Sequence, residues 1–172
     1  MDAAQRAAVL AGDERAWRAA FDEAFGPLDA YVLWRCGGLR HDADDVLQEA
    51  WLIAVRRIES YDPQAGSFLA WLRGIAANLL RARYRRQQPE SLPPGHDQAA
   101  GDEEAAQARA EAVALALASL PESYEAALRM KYLEGHSVTE VAACLGVSDK
   151  AAESLLSRAR EAFREAYTRE GP

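Results

Sequence analysis

Threonine, isoleucine and valine are scarce, numbering 2, 3 and 8 among 172 residues against 37 alanines. β-Branched side chains fill pleated sheets, whereas alanine loses no rotamer freedom in a helix, so this imbalance excludes a sheet-built fold and predicts an all-α one. Cysteine occurs only as Cys36 and Cys144, with no CxxC or Cys/His spacing. A disulfide framework and a zinc site are thereby excluded, and two buried free thiols are expected. No apolar run approaches the roughly 18 residues that a membrane span needs. The opening stretch MDAAQRAAVLAGDERAW lacks the charged-then-apolar order of a secretion signal, so a cytoplasmic protein is expected.

What is present is enough to build cores, since 49% of the residues are apolar and 27% charged. The formal charge of -7 disfavours phosphate binding in the mean. Its distribution says more. Residues 32–88 carry 9 basic and 6 acidic groups, whereas residues 89–112 carry 1 and 6. Within the positive block, Arg73 to Arg86 holds five arginines and no acid.

All four tryptophans (Trp17, Trp34, Trp51 and Trp71) precede residue 72, while QQPESLPPGHDQAAGD, residues 87–102, has three prolines and a single large apolar residue, Leu92. Such a stretch builds no core. The expected organisation is therefore two small helical domains, 1–86 and 103–172, joined by a flexible acidic linker, 87–102. In the first, Asp13 caps a helix carrying Trp17, Ala20, Phe21 and Phe25 that ends near Gly26-Pro27, and a second helix runs from Leu28 to Gly37-Gly38. Asp42 caps a third, with Val46, Ala50, Ile53 and Ala54 inward and Asp45, Glu49, Leu52 and Arg56 on another face. After the loop YDPQAGS, Ser67 caps a fourth helix to about Arg86, its buried face marked by Phe68, Leu72, Ile75 and Leu79. In the second domain an alanine-rich helix, 103–118, precedes a helix from Glu122 to about Leu133. Ser137-Val-Thr-Glu140 reads as a capping box, Gly146-Val-Ser148 as a turn, and Ser148 as the cap of a last helix with Ala152, Leu155, Leu156, Ala159 and Phe163 inward. Two capped amphipathic helices joined by a glycine-containing turn form a helix-turn-helix, whose second helix can enter a major groove.

Chemistry resides in two places. On the fourth helix Gly74, Asn78, Arg81 and Arg85 share a face, with Trp71 between it and the buried one. An indole flanked by an amide and guanidinium groups can stack on bases while the cations hold phosphates. The alternative is a core tryptophan beside a solvated basic face, but such faces ordinarily mix signs. On the last helix Lys150, Ser154, Ser157 and Arg158 can reach bases or phosphates, although so few cations predict weak unaided binding. Asp44, Asp45 and Glu49 are expected to serve the helix dipole rather than a metal. His41, His96 and His136 lie in separate segments without a nucleophile, so no enzyme and no cofactor are expected.

These residues resemble an extracytoplasmic-function (group IV) RNA polymerase sigma factor. Asp44-Asp45-Val-Leu-Gln48-Glu49-Ala-Trp51 is similar to the family's polymerase-binding helix, and Phe68-Leu-Ala-Trp71-Leu-Arg-Gly-Ile-Ala-Ala-Asn78 to its promoter-melting segment. Leu120-Pro121, the run Tyr132 to Ser148, and Ser157-Arg158-Ala159-Arg160 resemble its C-terminal DNA-binding domain. The resemblance implies that the first domain reads and melts the minus-ten element, that the second binds the minus-thirty-five duplex, and that the linker threads along the polymerase. It implies that Asp45, Gln48, Glu49 and Leu52 contact the clamp coiled coil of core RNA polymerase. It places Tyr61, Ser67 and Asn78 at a flipped non-template base, with Trp71, Arg81 and Arg85 along the strand. An anti-sigma partner is also implied. With no long extension after Phe163, control through an added domain is not expected. The chain departs from the family's pattern at Ala82, often Asp, and at Glu153 and Leu155, where many members place Lys and Arg.

Two other function classes fit parts of the pattern. A stand-alone helix-turn-helix regulator would need a dimer seam, and no sustained heptad run is present. An interaction protein that only sequesters a partner would leave the arginine block without a role.

Overall fold

Short polar side chains start the helices here by accepting backbone N–H groups that have no intrahelical partner. In the computed structural model, which describes residues 1–87 and 102–170, Asp13 accepts from the backbone N–H of Arg15 at 2.8 Å and Ser67 from that of Ala70 at 3.1 Å. Ser137 accepts from Glu140 at 3.2 Å and Ser148 from Ala151 at 3.3 Å. Every regular element among the described residues is helical. Contacts divide the chain into Met1–Leu33 with Arg40–Gln88, and Trp34–Leu39 with Pro89–Pro172. The expected linker lies outside the described residues apart from its two ends, as does His96.

The first unit holds α1 (Ala3–Leu10), most of α2 (Glu14–Arg35), α3 (Arg40–Arg57) and α4 (Phe68–Gln87), with a 3₁₀ turn at Ile58–Ser60. α1 was not foreseen; Asp2 caps it by accepting from Gln5 N–H at 2.8 Å. Gly26-Pro27 does not end a helix as expected, because α2 runs straight through it. A proline inside a helix forfeits one hydrogen bond and costs about 3 kcal/mol. Here Glu23, Gly26 and Pro27 are exposed, so water can serve the unpaired carbonyl. The opposite face buries Ala24, Leu28, Tyr31 and Val32, and each large apolar side chain contributes about 1.5–3 kcal/mol. Packing wins.

Two other expectations shift. α3 begins at Arg40, and Asp42, placed as its cap, instead pairs with Arg83 of α4. On α4 the buried row is Phe68, Leu72, Ala76 and Leu80, whereas Ile75 and Leu79 are only half-buried. The run FLAWLRGIAANLL is apolar around most of the helix, so its wheel leaves the inward face open and contact with α3 selects it.

In the second unit α8 (Asp149–Glu170) is packed by α5 (Asp102–Ser119), α6 (Glu122–Leu128) and α7 (Val138–Leu145). Alanines at Ala112, Ala116, Ala152 and Ala159 are buried and let the helices approach closely. α6 continues into a π turn, Arg129–Leu133. The helix-turn-helix is formed as expected: Ser137 and Glu140 complete a capping box, and Gly146 closes α7 in the left-handed region at φ 66°. Val141, Ala142 and Ala152 make its core, with Met130, Val138 and Leu145 against them. Cys36 is buried as expected, but Cys144 is exposed, on the outer side of α7. No helix among the described residues is long and apolar enough to cross a membrane.

The capping box supplies a test. The Ser137 N–H donates to the Glu140 carboxylate at 2.7 Å, and this bond holds its pKa below the ordinary value. A depressed carboxylate stabilises the fold above its unfolded pKa, and that contribution disappears as pH falls through the folded value. Thermal melts should therefore show Ser137→Ala costing about 1 kcal/mol. Glu140→Gln should flatten the acid limb of stability against pH relative to the wild type.

Candidate nucleic-acid interface

The arginine block of α4 is divided by its surroundings. Arg73 lies over the Tyr31 ring, its guanidinium carbon 5.6 Å from the centroid. Arg83 is drawn to α3, pairing with Asp42 and standing 3.6 Å from Asp45. Arg81, Arg85 and Arg86 are exposed on the last turns. Arg81 donates to the Asn78 side-chain oxygen at 2.8 Å, and the Arg85 Nε donates to the Arg81 carbonyl at 3.3 Å. The structure thus brings Asn78, Arg81 and Arg85 together in one ladder, as the spacing predicts. Guanidinium groups pre-oriented in this way suit phosphate oxygens.

Ser67 and Tyr61 sit apart from that ladder. Ser67 caps α4, and Asn78 lies eleven residues further on, about 16 Å along the axis. Tyr61, expected at the strand, is 2% exposed. Its hydroxyl donates to the Met1 carbonyl at 2.9 Å and to the Gly66 carbonyl at 3.2 Å, and burial pushes its pKa up. Its ring packs against Phe68 and Trp71, with centroids 5.3 and 5.5 Å away. Beside it lies an open pocket of about 500 Å³ lined by Asp2, Ala3, Pro63, Gln64 and Ser67 among others. No sequence signal joins Asp2 to this loop, some 60 residues away. Trp71 is half-buried, stacked on Phe68 at 5.7 Å, at the edge of the core where the sequence places it.

α3 presents the other surface. Asp45, Gln48, Glu49 and Leu52 are all exposed, Leu52 by 51%. Gln48 and Leu52 border an apolar groove of about 400 Å³ that also takes in Phe21, Phe25, Leu47 and Trp51. Phe21 and Phe25, carried on the helix that Asp13 caps, are each 39% exposed. Their rings lie 5.0 Å apart, and Phe21 is 4.7 Å from Trp51. Only contact between α2 and α3 reveals this groove, because the two phenylalanines have helical spacing in either role.

In the helix-turn-helix, Lys150, Ser154, Ser157 and Arg158 are exposed together on α8, alongside Glu153. The Thr139 hydroxyl donates to Asp149 at 2.9 Å and ties the start of α7 to the start of α8. Among the described residues no three His, Cys, Asp or Glu side chains are grouped to hold a metal ion.

Both parts of the chain have counterparts among known proteins. The family model Sigma-70 region 2 matches residues 21–90, and Sigma-70, region 4 matches residues 110–163. The chain is 34% identical over 164 residues to the ECF RNA polymerase sigma factor SigF of Caulobacter vibrioides, covering 93% of this chain and 90% of that one. It is 32% identical over 143 residues to the ECF RNA polymerase sigma factor SigE of Mycolicibacterium smegmatis, covering 78% of this chain. Of that relative's length it spans about half, 55%. It is also similar to CnrH, solved in complex with the cytosolic domain of CnrY, with a TM-score of 0.54, 26% identity and 95% of each chain covered.

Burial separates the two kinds of residue at the α4 surface. Trp71→Ala removes a half-buried indole with two ring neighbours and should lower stability by about 2–3 kcal/mol in denaturant titrations. Arg81→Ala, at an exposed position, should leave stability within about 0.5 kcal/mol of the wild type.

Proposed function

The chain belongs to the ECF RNA polymerase sigma factors, and on that premise we propose that it directs core RNA polymerase to promoters by melting the minus-ten element and binding the minus-thirty-five element. One observation carries the reading. The first unit presents a carboxylate-edged apolar surface on α3 and an acid-free guanidinium ladder at the end of α4, with Asp42 and Arg83 pairing where the two helices meet. A stand-alone operator binder has no use for the first surface, and a sequestering protein has none for the second.

Residues 1–86 form the promoter-melting domain. Asp45, Gln48, Glu49 and Leu52 meet the polymerase clamp, and the adjoining groove of Phe21 and Phe25 takes an apolar side chain from it. Buried aromatic anchors of this kind dominate interface energies. Arg81 and Arg85 hold the phosphates of the displaced strand, and Trp71 stacks on its bases. The loop from Tyr61 to Ser67 receives a flipped base, at a cost of a few kcal/mol in lost stacking and pairing. Residues 103–172 place α8 in the minus-thirty-five major groove through Lys150, Ser154, Ser157 and Arg158, and residues 87–102 link the two domains along the polymerase.

The protein acts in the cytoplasm as an initiation factor, with no chemical step and no cofactor of its own. An anti-sigma protein is its regulator; the similar CnrH is solved in complex with the cytosolic domain of CnrY. With a net charge of -7 the free chain is a poor DNA binder.

Reconstituted transcription tests this. Arg81→Ala should reduce open-complex formation about tenfold, the equivalent of one lost charged hydrogen bond, while core binding stays within about twofold. Leu52→Arg should do the reverse, weakening core binding at least about tenfold. A wild-type chain that binds a promoter as tightly without polymerase as with it would overturn the reading.

A further inference from the structure

α1 is fastened to the loop that precedes α4 at two points. The Arg6 guanidinium donates to the Glu59 carbonyl at 2.7 Å, at the 3₁₀ turn, and the buried Tyr61 hydroxyl donates to the Met1 carbonyl at 2.9 Å. The same hydroxyl reaches the Gly66 carbonyl at 3.2 Å, so one O–H joins the residues before α1 to both ends of the loop. Between these fastened walls lies the open pocket of about 500 Å³.

The polar groups lining it are unequal. Asp62 accepts from the Gln64 backbone N–H at 2.9 Å, and Ser67 accepts from Ala70 N–H, so the loop backbone is set and the Gln64 side-chain amide is exposed. Asp2 gives one oxygen, Oδ1, to Gln5 N–H. A carboxylate has two oxygens and about four acceptor sites, so Asp2 keeps acceptor capacity beyond its cap.

We propose that Met1, Asp2 and Ala3, at the start of α1, form a wall of the base pocket and that Asp2, which lines it together with Gln64, selects against thymine at one position of the minus-ten element. This rests on the promoter-melting role proposed above and adds the residues that set its specificity. Adenine, cytosine and guanine each carry an exocyclic amino donor, which a carboxylate accepts. Thymine presents two carbonyl oxygens flanking a single N–H, and those oxygens are repelled by the carboxylate. Arg6 is a positioning residue that holds the walls at a fixed spacing, and Tyr61, which itself lines the pocket, ties the two walls together.

The test uses the full chain with core polymerase on a promoter library randomised through the minus-ten element, with the opened templates sequenced. The wild type should disfavour non-template thymine about tenfold at one position, as a single good base contact would. Asp2→Asn keeps the cap, because Asn serves there as well as Asp, but offers an amide donor in place of the charge. It should bring thymine within about threefold of the other bases. Tyr61→Phe keeps the ring and removes the tie, and should blunt the same preference while preferences elsewhere hold, with a modest fall in melting temperature from the lost hydroxyl bonds. If both variants discriminate like the wild type, or the wild type opens templates with no position disfavouring thymine, the pocket assignment is wrong. If the wild type binds core polymerase yet opens nothing, the melting role itself fails and the pocket assignment goes with it.

Discussion

A relay of aromatic rings runs through the first unit and its two proposed working surfaces depend on it. Phe25 meets Phe21 at 5.0 Å, Phe21 meets Trp51 at 4.7 Å, and Trp51 meets Phe68 at 6.3 Å. Phe68 then contacts Tyr61 and Trp71. Each such pair contributes about 0.5–1.5 kcal/mol beyond burial, but position matters more than the sum. One end of the relay is the apolar groove on α2 and α3, and the other supports the loop before α4 and the indole beside the arginine ladder. Rings have few rotamers, so both surfaces are held by packing rather than by flexible contacts.

Charge is arranged around this frame with the opposite logic. Arg40 is held more firmly protonated by its bonds to Asp29, with Asp44 also beside it, and Arg83 is shared between Asp42 and Asp45. These pairs lie on the side where α3 carries its acids. Arg81, Arg85 and Arg86, beyond their reach, are left exposed. The protein is thus acidic as a whole and cationic over one short stretch. A net negative charge limits stray binding to nucleic acid, and in the proposed role a docked polymerase would supply the remaining phosphate-neutralising surface.

Much of this was legible in the residues. Helix starts at Ser67, Ser137 and Ser148, the turn at Gly146 and the grouping of Asn78, Arg81 and Arg85 all follow from chemistry within one or two helical turns, and each stands where it was read. The misreadings have a common cause. Gly26-Pro27 signals a break locally, yet Leu28 and Val32, both fully buried, hold α2 together across it. Asp42 has the chemistry of a cap, but a cation from a distant helix competes for it. The inward face of α4 differs from the expected one by part of a turn because the first part of that helix is apolar around most of its circumference.

By itself, the sequence determined the helical class, the capped helix-turn-helix, the site of the arginine block and the family resemblance, all of which rest on periodicity, caps and composition within short stretches. Tertiary structure decided which of two half-apolar faces turns inward, that Phe21 and Phe25 line a groove, that Cys144 is exposed, and that α1 braces a loop some 60 residues away. The physical reason is range. A cap or a charge block is satisfied by its neighbours in the chain, whereas a groove or a pocket exists only once separate helices have chosen the faces they bury, and that choice depends on every contact made at once.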